Sequence, residues 1–329
     1  MDFKNLSKGY IENEIPKNID ISKEILRIKK EKNAVILSHF YTVPELQDIA
    51  DYVGDSLKLS QLAAETKADI IVFVGVHFMA ETAKILSPHK KVLLPDLNAG
   101  CSLAESVPPD AFEEFIKQHP GYKVISYVNT SAAIKALTDV VVTSTNAKYI
   151  VESFQKNEKL IFGPDRNLGN YINTVTGRNM VLWDGACHVH EEFSLEAILE
   201  LKKQYPNAKI LAHPECEKPV LLVADHIGST ASILKFSKTD NANEYIVATE
   251  SGIIHQMKKQ SPQKHFIPAP PKDSTCACND CNFMKLNTLE KLYNCLVYEL
   301  PEIEIDEKIR KRAELPIRKM LEISAKLGL

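Results

Sequence analysis

Three short stretches end in pairs of side chains suited to proton transfer and hydrogen bonding: His39 with Tyr41, Tyr127 with Asn129, and His213 with Glu215. Their first members recur 88 and 86 residues apart. Seventeen residues beyond each stands a small hydroxyl residue, Ser56, Ser144 or Thr230, where a helical pattern opens, and Ser229 adjoins the last. Thirty-six residues beyond each come Gly75, Gly163 and Thr249, at the exits of strand-like runs. Each copy then brings a cysteine, in NAGCSL, DGACHVH and CNDCNFM. A serine that opens a helix is by itself an ordinary cap. The same spacing held in three copies instead says that one unit is repeated and that equivalent groups stand at equivalent strand ends.

What that chemistry could be follows from the residue types. Hydroxyls and helix N-termini suit a carboxylate or phosphate, because unpaired N–H groups and the positive end of the helix dipole favour negative charge. Tyrosine, histidine and glutamate supply groups that gain or lose protons near neutral pH once an apolar site tunes them. Three thiolates from three related units can hold a four-iron cluster by three corners, leaving one iron open as a Lewis acid. The run CACNDC contributes Cys276, Cys278 and Cys281, and spacing alone does not choose among them. Its C-x-C-x-x-C pattern differs from the ferredoxin run, and zinc is a second way to use it.

These groups need a scaffold that brings strand ends together. Short β-branched runs alternate with helical patterns of about ten residues or more, which predicts an α/β fold on parallel sheets. Strands are expected over 34–41, 69–76, 91–96, 123–129, 139–144, 159–165, 180–185, 209–215, 219–226 and 244–250. In open α/β sheets ligands bind beyond the carboxyl ends of the strands. If the copies close around a pseudo-threefold axis with those ends inward, one pocket collects the repeated pairs. Units of 1–106, 107–190 and 191–285 are expected, with seams near Pro108 and Pro109 and within 191–196. Residues 286–329 read as two amphipathic helices packing back on the first unit.

Composition narrows the class. With 329 residues, 44% hydrophobic and 25% charged, the chain is long enough for several small cores. Its 40 basic and 43 acidic residues leave a net charge of −3, which gives no broad electrostatic grip on nucleic acid or anionic lipid. No apolar run approaches the roughly 18 residues of a membrane span, and the N-terminal stretch lacks a secretion pattern. A cytoplasmic location is expected. Seven cysteines, an odd number, argue against a disulfide framework, and Cys216 and Cys295 read as inert core thiols.

The segments LSHFYTVPELQDIADYVGDS, NAGCSLAESV, KVISYVNTSAAIKALTDVVVTSTNA, WDGACHVH, LAHPEC, HIGST and CNFMKLNTLEKL together resemble the quinolinate synthases, in order and from about Ile25 to Leu296. The resemblance implies three three-layer α/β domains about a pseudo-threefold axis. It implies condensation of iminoaspartate with dihydroxyacetone phosphate to quinolinate, phosphate and water, a step of NAD biosynthesis, with functional coupling to an enzyme that produces iminoaspartate. It further implies a [4Fe-4S] cluster on Cys101, Cys187 and Cys281, the last chosen because CNFM matches the family's C-x-x-M. Carried across by position, His39, Tyr41, Ser56, Tyr127, Asn129, Ser144, His213, Glu215, Ser229 and Thr230 fall on substrate-binding positions, and His190 on a further active-site histidine. Tyr41, Tyr127, His190, His213 and Glu215 are the expected catalytic groups. Where some members carry C-x-x-C-x-x-C, this chain has Thr275 and Cys276, which puts a regulatory disulfide there in doubt. Two rivals remain: an iron-sulfur hydro-lyase without a phosphate site, and a zinc-stabilised binding module.

Overall fold

The structure is a computed structural model and describes residues 6–273 and 280–329. It contains three four-stranded parallel sheets. The first is built from β1 (Ala34–His39), β2 (Tyr52–Gly54), β3 (Ile70–Val74) and β4 (Lys91–Leu93), in the order β2-β1-β3-β4. The second uses β5 (Lys123–Tyr127), β6 (Val140–Val142), β7 (Leu160–Gly163) and β8 (Val181–Leu182), in the order β6-β5-β7-β8. The third uses β9 (Lys209–Ala212), β10 (His226–Ile227), β11 (Glu244–Ala248) and β12 (His265–Pro268), in the order β10-β9-β11-β12. The topology is one pattern drawn three times, as the repeated spacing predicts. Register repeats as well: His39 pairs with Gly54, Tyr127 with Val142 and Ala212 with Ile227.

Each sheet is covered on both faces, which is why its strands read as unbroken apolar runs. Successive residues of β3 divide between two cores: Ile71 and Phe73 pack with Leu57 and Phe78, whereas Ile70, Val72 and Val74 pack with Ile25 and Leu292. The third sheet does the same, Tyr245 and Val247 facing Ile233 while Ile246 and Ala248 face Ile198. The first and second sheets share a core that also takes Ala313, Ile317 and Met320 of the last helix, Glu307–Lys326. That helix lies along β6 and the helices Ala132–Lys135 and His77–Leu86, while Leu289–Tyr298 packs on Ile21–Glu31 of the first unit. None of the described helices is long and apolar enough to cross a membrane.

One expected strand is a correction. Residues 218–222, which overlap the predicted run 219–226, form a helix, Lys218–Leu222, and the strand begins only at His226. Pro219 stands in the first helical turn, where its fixed φ is already suited to a helix. The apolar run misleads because Leu222 is 74% exposed and belongs to no core. Two short edge strands, β2 and β12, went unpredicted; neither has the long β-branched run that marks the central strands.

Candidate active site

The carboxyl ends of the three sheets converge on one cavity. The first unit contributes His39, Tyr41 and Ser56, the second Tyr127, Asn129 and Ser144, and the third His213, Glu215 and Thr230. His190, Cys101, Cys187 and Cys281 line the same space. Ser229 stands behind the wall: as the cap of helix Thr230–Thr239 it accepts the Ser232 N–H, and it pairs with the Thr145 hydroxyl at 2.8 Å. Ser56 and Thr230 each occupy the first turn of a helix, capped by Asp55 and Ser229. Ser144 instead lies in the turn before its helix, Ala147–Glu152, which starts later than its counterparts. Cys276 and Cys278 lie outside the described residues.

A chain of hydrogen bonds links the units. His190 Nδ1 lies 2.8 Å from Glu215 Oε2 and its Nε2 lies 3.0 Å from Thr249 Oγ1. The Tyr41 hydroxyl is 2.8 Å from both Thr249 Oγ1 and Thr230 Oγ1. One proton arrangement serves these contacts: Thr230 donates to Tyr41, Tyr41 to Thr249, Thr249 to His190 Nε2, and His190 Nδ1–H to Glu215, with Cys187 Sγ a second, longer acceptor at 3.2 Å. Alongside, His213 stacks on His190 with ring centroids 4.6 Å apart. His213 Nδ1 accepts the Glu215 backbone N–H at 3.4 Å, so its Nε2 carries the proton and donates to Ser144 Oγ at 3.2 Å.

Burial sets the protonation states. It pushes the imidazoles of His39 and His213 down to about 3, leaving them neutral, and raises the phenols of Tyr41 and Tyr127 far above their ordinary range. Burial also opposes ionisation of Glu215, but His213, His190 and Tyr127 outweigh it and hold that carboxyl low. At neutral pH the cavity thus holds a carboxylate beside neutral His39, His213, Tyr41 and Tyr127. Two buried oxygens on its wall, Asn129 Oδ1 and Thr143 Oγ1, have no hydrogen-bond partner among the described residues. Buried polar atoms left in this way are rare and ask for a ligand.

The cysteines share one local design. Cys101, Cys187 and Cys281 each cap a four-residue helix, Ser102–Glu105, His188–Glu191 and Asn282–Lys285. Burial pushes their thiols up, Cys101 to about 12 and Cys281 to about 11. Amides of the helices they cap pull the other way: Ala104 and Leu103 for Cys101, His190 for Cys187, Met284 and Phe283 for Cys281. Two buried acids that sequence pattern alone misses fix two of the backbones. Asp165 accepts the Cys187 N–H at 3.1 Å and Glu250 the Cys281 N–H at 3.1 Å. Both stand one or two residues beyond the repeated positions Gly163 and Thr249, so extending the repeat by that much would have found them. Cys187 Sγ, His190 and Glu215 also bring ligating atoms within 4.8 Å of one another.

Lys285 closes this corner. Its ammonium lies 2.9 Å from Glu250 Oε1 and donates to the Tyr41 carbonyl at 2.8 Å, tying the Cys281 segment to the first and third units. Removing one member of a buried pair leaves the other charge uncompensated. Because burial raises the Glu250 carboxyl to about 7 even beside Lys285, Lys285→Met is expected to lower the unfolding free energy by about 3 kcal/mol at alkaline pH and by less at neutral pH, where Glu250 can take a proton, read by denaturant titration of the metal-free protein.

The family described as Quinolinate synthetase A protein has a model that matches residues 23–322. The chain belongs to this family. Among its relatives, the quinolinate synthase of Thermosynechococcus vestitus is 58% identical over 309 residues, covering 94% of this chain and 97% of the relative. That of Chloroherpeton thalassium is 55% identical over 322 residues, covering 97% of this chain and all of the relative. A third quinolinate synthase, from Synechocystis, is 58% identical over 305 residues, 93% of this chain and 96% of the relative. The quinolinate synthetase A match spans all three sheets and every cavity-lining residue named above.

Proposed function

We propose that this chain is a quinolinate synthase that joins iminoaspartate to dihydroxyacetone phosphate and releases quinolinate, phosphate and water. The observation that carries the reading is the meeting, in one cavity, of three cysteines at helix N-caps with a hydrogen-bonded chain of acid and base groups from all three units. The donor set fits a [4Fe-4S] cluster. Three thiols reach one space, their helices' amides favour the thiolate form, and soft sulfur ligands suit iron-sulfur clusters. Cys101, Cys187 and Cys281 would hold it, and when bound it supplies a Lewis-acidic iron corner that polarises an oxygen substituent.

The protein's own groups account for the rest. Asn129, Ser56 and Ser144 offer donors to substrate carboxylates, and Thr230 at a helix N-terminus offers its amide to phosphate or carboxylate. Glu215 would take a proton from carbon or nitrogen, and His190 and Tyr41, linked through Thr249, would return one to a departing oxygen. The test is an anaerobic preparation assayed for iron, sulfide and visible absorption, then for quinolinate formed from the two substrates. About four irons per chain, as the proposed cluster requires, together with product would sustain the reading. Zinc without iron, or iron without product, would overturn it in favour of a binding module or a hydro-lyase respectively.

A further inference from the structure

Lys135 is fully buried, yet its ammonium meets no carboxylate: it donates to the carbonyls of Val128, at 2.9 Å, and Thr130. Those two carbonyls flank Asn129, whose Oδ1 stands unpaired on the cavity wall. The internal repeat supplies a control for this arrangement. Gln47 holds the equivalent place in the first unit, eight residues after His39 as Lys135 is eight after Tyr127. Its Nε2 donates at 2.8 Å to the carbonyls of Phe40 and of Thr42, which flank Tyr41. The turns match further, since the Thr42 and Thr130 hydroxyls each donate at 3.0 Å to the carbonyl three residues back. In the third unit the corresponding residue is Leu221, which has no side-chain donor.

A neutral amide is therefore enough to grip this turn, and the charge on Lys135 is more than the turn requires. A buried ammonium costs several kcal/mol unless something compensates it. Glu81, the acid whose charge acts on Lys135, makes no ion pair with it and is engaged by the Ala132 N–H at 3.0 Å, facing His77 at 3.9 Å. Lys135 Nζ stands 5.5 Å from the centre of the Phe78 ring, and Phe78 lines the cavity. We infer that Lys135 is a positioning residue whose charge also serves the ligand. It fixes the turn that carries Asn129, whose Oδ1 is left to accept from a ligand N–H or O–H, and supplies the fixed positive potential that lets the cavity hold a carboxylate-bearing ligand. The inference rests on the functional reading above, because it needs a dicarboxylate as ligand.

The test is Lys135→Gln, which imitates the first unit's grip and removes only the charge. Binding of quinolinate and of its uncharged diamide to the anaerobic holoprotein is measured by calorimetry at two salt concentrations. The variant is expected to fold with an unchanged melting midpoint and cluster content. Its affinity for quinolinate should fall at least tenfold with a weaker salt dependence, while its affinity for the diamide changes less than twofold. Equal losses for both ligands, or none for quinolinate, would overturn the inference and leave the functional reading standing. A Lys135→Gln chain that fails to fold would also overturn it, because the charge would then be a structural requirement. A wild-type protein that binds no quinolinate would overturn both.

Discussion

A Cys281→Ser chain purified without oxygen is expected to be colourless and to form no quinolinate, whereas Cys216→Ser and Cys295→Ser keep both colour and activity. The difference is one of position. Cys281 lines the cavity, caps a helix whose amides favour its thiolate, and has its own N–H held by Glu250. Cys216 is buried behind the third sheet with its thiol donating to the Ala248 carbonyl at 3.3 Å, and Cys295 packs among Ile25, Leu292 and Leu296. With two thiolates left of three, the proposed cluster loses the ligand that comes from the C-terminal segment, and soft-metal sites do not tolerate a hydroxyl in its place. Visible absorption, with iron and sulfide per chain, reads the result directly. Cys276→Ser and Cys278→Ser are expected to keep their colour. A bleached Cys278→Ser beside a coloured Cys281→Ser would move the third ligand to Cys278.

The strand ends were legible because a polar pair after a β-branched run stands out, and three copies turned a weak signal into a spacing. The groups that pattern does not reveal share a physical cause. Glu250 in VATESG and Asp165 in FGPDRN look like ordinary surface acids; only the fold buries them beside Cys281 and Cys187. Lys135 and Gln47 were invisible for the same reason, since a lysine in a short helix reads as solvated until the sheet closes over it. The helix Lys218–Leu222 shows the converse error, in which a run of apolar residues imitates a strand although one of them faces solvent. The last helix, Glu307–Lys326, has an apolar face legible from its periodicity, but periodicity does not say that Asn146 will donate to Ser324 at 3.0 Å and help seat it against the second unit. Pattern thus locates faces and strand ends, whereas partners across long stretches of chain come only from packing.

Glu215→Gln is expected to lower kcat by about 10² to 10⁴-fold with little change in KM or iron content, a loss typical of removing a general base. The reason lies in the direction of the hydrogen bonds. Glu215 terminates the chain that begins at Thr230, and it can do so because its carboxylate accepts the His190 Nδ1 proton at 2.8 Å. An amide of the same size can present its NH₂ to Nδ1 instead, which forces the imidazole into its other tautomer. His190 Nε2 would then donate to Thr249, Thr249 to Tyr41, and Tyr41 to Thr230, so every link survives with its polarity reversed. Folding is little disturbed by such a reversal, yet the site loses its proton acceptor, and the Tyr41 hydroxyl then donates to Thr230 instead of to Thr249. Nitrogen-15 shifts of the His190 ring measure the tautomer independently of turnover. A variant with unchanged kcat would remove Glu215 as the base and point to His213, stacked on the His190 ring, as the group that moves the proton.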